Sequence, residues 1–239
     1  MKKFVRQAPQ VKRMSIADNL AEINQQIVNL TTQYHRPVNS VRLLAISKNQ
    51  SNTAIEEAYA AGQHAFGENY LQEALVKIAA LNNLAIEWHY IGATQRNKTK
   101  KLAEHFHWVH TVDSIEIAER LNNQRPENLP PLNICLQVNI SKDENKSGCH
   151  PENVLALASA CENFPRLTLR GLMAIPSQKN IFALQRAEFH KMDEIFQNLL
   201  KIGLNIDTLS MGMSGDLEAA IAEGSTMLRI GTKIFGMRF

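Results

Sequence analysis

TLSMGMSGDLEAAIAEGSTMLRIG, residues 208–231, reads as one complete strand–helix–strand unit. The apolar run 208–212 is a buried strand, 214–223 carries helical spacing, and 227–231 is again a compact apolar run. Two buried strands joined by a helix run parallel, and such crossovers are right-handed. The same unit recurs on moving toward the N-terminus. Strand 167–175 precedes a long helix at 181–202, and strand 132–140 is followed by the polar loop 141–148 and a helix at 151–162. Strand 108–112 leads to helix 114–123 and a Pro-rich loop at 126–131, strand 86–92 to helix 96–105, and strand 64–68 to helix 69–81. The run VRLLAIS (41–47) is the first strand, with a helix at 53–61 ended by Gly62. Ahead of it stands an amphipathic helix at 15–34, with Ile16, Leu20, Ile23, Ile27 and Leu30 on one face.

Eight strands alternating with helices, with no low-complexity linker between them, predict an α/β fold: a single (β/α)8 TIM barrel with an extra N-terminal helix. The barrel domain is expected over 15–239, after an N-terminal tail at 1–14. At 239 residues, 44% hydrophobic and 21% charged, the chain can bury a full core unaided. The basic start MKKFVRQAPQVKRM has no apolar region behind it, so a signal peptide is not expected, and no stretch has the length of a membrane span. Cys135, Cys149 and Cys161 are an odd number without framework spacing, which suits a reducing cytoplasm. The net charge of +3 is spread along the chain. Its densest basic run, Arg96 to Lys101, lacks interleaved aromatics, and it reads as a solvated helix face and not a nucleic-acid surface.

In a parallel barrel the chemistry sits at the C-terminal strand ends, with phosphate commonly held after strands seven and eight. Lys48 follows the first strand directly. A lysine there either rims the barrel or, when desolvated, offers a nucleophilic amine for Schiff-base chemistry. After strand seven comes Ser210-Met-Gly-Met-Ser214-Gly-Asp, and after strand eight Arg229-Ile-Gly231-Thr232. Glycines and hydroxyls at helix starts expose N–H and O–H donors to an anion. An amine on strand one and a phosphate cradle on strands seven and eight would bind the two ends of one cofactor, pyridoxal 5′-phosphate (PLP). Arg229 beside the ring cannot give up its proton, so a pyridine nitrogen facing it stays unprotonated and the ring is a weak electron sink. Neither G-x-G-x-x-G after the first strand nor a Walker-type loop is present.

The motifs LLAISK (43–48), FGENYLQEA (66–74), EWHYIGATQRNK (87–98), VNISKDENKSG (138–148), RGLMAIP (170–176) and LSMGMSGDLEAAIAEGSTMLRIGTKIFG (209–236) carry a resemblance over nearly the whole chain. It is to the pyridoxal phosphate homeostasis proteins, PLP-binding barrels related to the N-terminal domain of alanine racemases. The resemblance implies a cofactor held on Lys48, with Asn69 and Met173 beside it. It implies that Ser210, Ser214, Gly231 and Thr232 receive the phosphate and that Arg229 faces the pyridine nitrogen. Lys146 matches a family lysine associated with cofactor exchange. The chain departs from the family pattern at Asn49-Gln50-Ser51, at Ala93-Thr94, and at Gly215 where an aspartate is common.

His105, His107 and His110 have no Glu or Cys at ligand spacing, so no metal is expected. His89, between Trp88 and Tyr90, reads as a core or near-site histidine and not as a catalytic base. The function expected is PLP binding in intracellular cofactor homeostasis, with no dedicated turnover and no catalytic residues. The chain is expected to be a monomer, in contact with no membrane, with PLP-dependent apoenzymes as possible recipients. The alternatives are a PLP-dependent amino-acid racemase and a Schiff-base aldolase. A racemase needs a second base from a C-terminal domain, whereas this sequence stops at Phe239, just after strand eight. An aldolase leaves Arg229 without a purpose.

Overall fold

Apolar runs of three to seven residues cannot bury themselves singly, and in the computed structural model of the chain they do so by pairing into a ring. The structure describes residues 14–141, 143, 146–177 and 179–236. Of the expected tail 1–14, only Met14 falls among them. Helix α1 (Ile16–Gln33) comes first, capped by Ser15, whose hydroxyl accepts from the Asp18 N–H while the Asp18 carboxylate accepts from the Ser15 N–H. Then β1 (Arg42–Ile46), α2 (Asn52–Ala60), β2 (Ala65–Glu68), α3 (Leu71–Ala80) and β3 (Glu87–Tyr90) follow in order. After a 3₁₀ turn come α4 (Thr99–His105), β4 (Trp108–Val112), α5 (Ile115–Gln124) and β5 (Leu132–Gln137). A second 3₁₀ turn leads to α6 (Val154–Cys161), β6 (Leu167–Met173), α7 (Phe182–Lys201) and β7 (Thr208–Ser210). The chain closes with α8 (Leu217–Ala222), β8 (Met227–Ile230) and α9 (Thr232–Phe235).

The eight strands form a closed barrel in sequence order, every neighbour parallel, with β8 returning to β1 in a register running from Arg42↔Met227 to Ala45↔Ile230. This is the barrel expected from the alternation. Period two divides each strand. Ala45, Phe66, Val109, Ile134, Leu172 and Leu228 face outward into the shell shared with the helices. Leu44, Ile46, Ala65, Trp108, Cys135, Met173 and Met227 form a separate cluster inside. Branched aliphatics usually fill such an interior. Here His89, stacked on Trp108 with ring centroids 5.1 Å apart, and fully buried His110 and Ser210 share it.

Two expectations change in detail. The helix after β8 is a single turn, α9. The N-terminal helix fills the place this leaves: α1 packs against α8, α9 and α2, burying Leu20, Ile23, Ile27 and Leu30. Instead of an addition to eight complete units, it serves as the eighth helix of the ring. Helix α3 also begins at Leu71 and not at 69, which leaves Asn69 in the loop after β2.

Candidate functional site

Strand ends at the C-terminal face converge on a cavity of about 620 Å³, a size suited to a small cofactor. Lys48, Asn69, Ser214, Arg229, Gly231 and Thr232 all line it. Lys48 is half-buried two residues beyond β1, on the inward side of the strand's period. Asn69 follows β2 directly, and its buried amide oxygen has no hydrogen-bond partner among the described residues. Gly92 allows this arrangement: a Cβ there would stand 2.0 Å from the Asn69 carbonyl oxygen, so only glycine lets the end of β3 pass so close.

Two loops at the same cavity, one after β7 and one after the neighbouring β8, present donors. The backbone N–H groups of Ser214, Gly215, Gly231 and Thr232 make no hydrogen bond among the described residues. Asp216 braces the first of these loops by accepting from the Met213 N–H at 2.6 Å, and burial pushes its carboxyl up despite that bond and nearby Arg229. The second loop starts α9. Between amine and donors lies the buried guanidinium of Arg229. Its Nη1 donates to the Ser210 carbonyl at 2.7 Å and the Ser210 hydroxyl at 2.9 Å, and its Nη2 to the Ala174 carbonyl at 2.9 Å. Three of its five N–H groups are thus held by Ser210 and Ala174, and the residue lines the cavity. Burial pushes its pKa down to about 10, with Asp216 opposing, so it remains a cation at neutral pH.

Ser210 and Met173 lie one layer deeper. Both are fully buried and neither lines the cavity. The Ser210 hydroxyl is engaged by Arg229 and by His110 Nδ1 at 3.1 Å, so this site gives it to the arginine and not to an anion. Met173 belongs to the inner cluster beneath the cavity floor. Lys146 lies outside the lining and donates to the Ser177 hydroxyl at 3.3 Å. Sequence reasoning missed Ile46, Ile91, Ile175, Lys179, Asn180, Gln185 and Asp216. Gln185 of α7 donates to the Lys179 carbonyl at 2.8 Å and the Gly215 carbonyl at 3.4 Å, which ties the β6–α7 loop to the anion loop. Only Asp216 had a signal, as the last residue before a helix.

The other candidates have local partners. His107 Nδ1 accepts from the Trp88 N–H, and His110 bonds His89 and Ser210. In the basic run, Arg96 pairs with Glu116, and Lys100 and Lys101 with Glu104. Among the described residues no helix is long and apolar enough to cross a membrane.

Residues 19–239 match the family of the alanine racemase N-terminal domain. The chain is 53% identical to the pyridoxal phosphate homeostasis protein of Pseudomonas aeruginosa, over 94% of this chain and 96% of that one. It is 52% identical to the protein of the same name in Haemophilus influenzae, over 94% and 97%. Among solved structures, PipY of Synechococcus elongatus with PLP bound superposes with a TM-score of 0.82 at 39% identity, over 93% of this chain and all of PipY.

Proposed function

The chain belongs to the family of pyridoxal phosphate homeostasis proteins, and from that premise we propose that it holds PLP on Lys48 and serves cofactor supply, not amino-acid turnover. The observation that carries this reading is the convergence on one cavity of an amine at one end and an anion cradle at the other. Lys48 would hold the cofactor through its Nζ, and PLP would supply an aldehyde carbon for that amine. The free N–H groups of Ser214, Gly215, Gly231 and Thr232 and the side chains of Ser214 and Thr232 suit a phosphate dianion. The unpartnered amide of Asn69 is a buried polar group awaiting a ligand atom. Arg229 offers the pyridine nitrogen a donor that keeps its own proton.

When bound, PLP supplies an electrophilic carbon and a ring that can draw electron density from it. Facing an arginine, the ring draws weakly, which favours holding over turnover. Met173 backs the cofactor from the barrel interior, and Ser210 acts on it through Arg229. The recipients are PLP-dependent apoenzymes, and the protein works as a monomer in the cytoplasm. A reducing compartment suits its three cysteines, all free and buried.

Purified protein mixed with PLP should develop the visible absorption of a protonated imine and, after borohydride, a stable adduct on the peptide containing Lys48. Lys48→Ala should lose both, and the wild type should racemise alanine no faster than free cofactor does. Wild-type protein with neither band nor adduct would refute the assignment.

A further inference from the structure

A continuous row of polar side chains crosses the barrel interior beneath the cofactor cavity. At the N-terminal mouth, Glu87 opens β3 with its side chain partly exposed, and its Oε1 is 2.9 Å from Arg42 Nη2 and 2.6 Å from His89 Nε2. His89 Nδ1 is 2.9 Å from His110 Nε2. His110 Nδ1 is 3.1 Å from the Ser210 hydroxyl, which is 2.9 Å from Arg229 Nη1. His89, His110 and Ser210 are completely buried.

The two ends fix the direction of every bond between them. Arg229 can only donate and the Glu87 carboxylate can only accept, so with both buried rings neutral every proton points toward Glu87: Ser210 accepts from Arg229 and gives its own proton to His110 Nδ1. His110 then carries its proton on Nε2 and donates to His89 Nδ1, and His89 donates from Nε2 to the Glu87 carboxylate. The two neutral rings are therefore Nε2–H tautomers. Their burial agrees: it brings His89 down to about 4, although Glu87 pulls the other way, and it lowers His110 as well. Each bond polarises the next toward the carboxylate.

We propose that Glu87, His89, His110 and Ser210 form a positioning relay, which fixes the Arg229 guanidinium against the cavity and transmits to it the negative charge of a carboxylate at the far mouth of the barrel. The effect on the cofactor rests on the assignment of PLP to Lys48 and of its ring nitrogen to Arg229. Three buried polar side chains beside a buried guanidinium need mutual satisfaction, and this chain of bonds provides it. With its Ser210 partner made electron-rich by the relay, Arg229 is the weaker donor toward the ring. Neutralising Glu87 strengthens that donation, draws density from the imine and makes it more acidic.

The first arm needs no cofactor. Nitrogen-15 shifts of the histidine rings should show both His89 and His110 as neutral Nε2–H tautomers at neutral pH. A Nδ1–H tautomer or a charged ring at either position overturns the relay. The second arm titrates the imine absorbance of PLP-loaded protein, in a cavity whose charged lining is Lys48, Lys179, Asp216 and Arg229. Glu87→Gln should lower its midpoint by about half a unit, ~threefold in proton affinity. Arg42→Ala, which removes the cation paired with the same carboxylate oxygen, should move the midpoint the opposite way, upward. In a Ser210→Ala background, Glu87→Gln should cause no further shift. An unmoved midpoint in Glu87→Gln, or the same shift with Ser210 removed, refutes transmission through these side chains. A wild type without the imine band would be a failure of the lysine assignment alone, and the histidine tautomers would still decide the relay.

Discussion

Two carboxylates and one ammonium grip the backbone on both sides of Lys48. The Ser47 carbonyl accepts from Lys77 Nζ at 2.7 Å, the Ser47 hydroxyl donates to Glu68 at 2.6 Å, and the Asn49 N–H donates to Glu73 at 2.6 Å. Asn49 has φ +59, a left-handed conformation that asparagine tolerates better than most residues. Where the sequence departs from the family pattern after Lys48, Asn49 is held through its backbone and Ser51 caps α2. Lys77 bridges Glu68 and Glu73 in an almost dry cluster. Burial pushes the Glu68 carboxyl up, with Lys77 and Ser47 pulling back. Lys77→Met removes the main force keeping Glu68 ionised, so its folded pKa rises further above the unfolded value. Such a carboxyl favours the fold below the ordinary carboxylate range, and the benefit is lost as pH rises through the folded value. The variant should be less stable than wild type by about 3–5 kcal/mol at neutral pH, the cost of an unpaired buried charge. Part of that difference should return in mildly acidic buffer. Urea denaturation of both proteins at the two pH values checks this, and a difference that ignores pH would count against the clamp.

The loop between β7 and α8 shows how an element carries the site. Gly212 has φ +96, and a Cβ there would stand 2.5 Å from Ala220 Cβ and 2.7 Å from Leu228 Cδ2. Its carbonyl accepts from the Arg229 N–H at 3.0 Å, so the turn is pinned to β8. Gly212→Ala should cost about 1–3 kcal/mol through strain and overpacking, and should weaken PLP binding at least ~10-fold by moving the donors at 214 and 215. Gly215→Ala meets nothing within 4 Å and should bind as wild type does. Absorbance titration with PLP separates the two, and equal affinities would show that the loop does not set the cradle. At this scale the sequence was legible where strands are contiguous apolar runs bounded by helices, and six expected residues line the cavity because strand ends locate them. Ser210 and Met173 lie beneath the lining, since the inward period of a strand is visible in sequence but its depth in the barrel is not. Strand 132–140 was read too long: the sheet ends at Gln137, and Val138 instead bridges Cys149. Gln185 and Lys179 come from a loop and helix with no pattern to mark them. His89 and His110 were each read alone, and their meeting depends on the register of β3 against β4, which no local pattern reveals.

For the whole molecule, the decisive fact is that the ring of helices is closed by the beginning of the chain and not by its end. Helix α9 has four residues and cannot cover the seam between β8 and β1. Helix α1 covers it, and specific bonds fix its place: Asn19 Nδ2 donates to the Ile234 carbonyl at 2.8 Å, Tyr34 to Glu218 at 3.0 Å, and the Ile16 N–H to Glu57 at 3.1 Å. These partners belong to α9, α8 and α2, so the helix links the two ends of the barrel. Because α9 begins at Thr232 with Gly231 as its N-cap, a helix far from the cavity in sequence also supports the wall formed by these two residues. The amphipathic pattern of 15–34 announced a packed face but not its partner, and the same four buried residues would suit a helix capping one end of the barrel. The two arrangements differ in cooperativity. A helix completing the ring unfolds with it, whereas an added one can detach first. Ile27→Ala should therefore cost about 2–5 kcal/mol, the range for truncating a buried aliphatic side chain, and it should lower the midpoint of a single urea transition seen alike by helix signal and by tryptophan fluorescence. Two transitions, or a helix signal lost ahead of the fluorescence of Trp88 and Trp108, would make α1 an appendage and return the closure of the barrel to its eight strands alone.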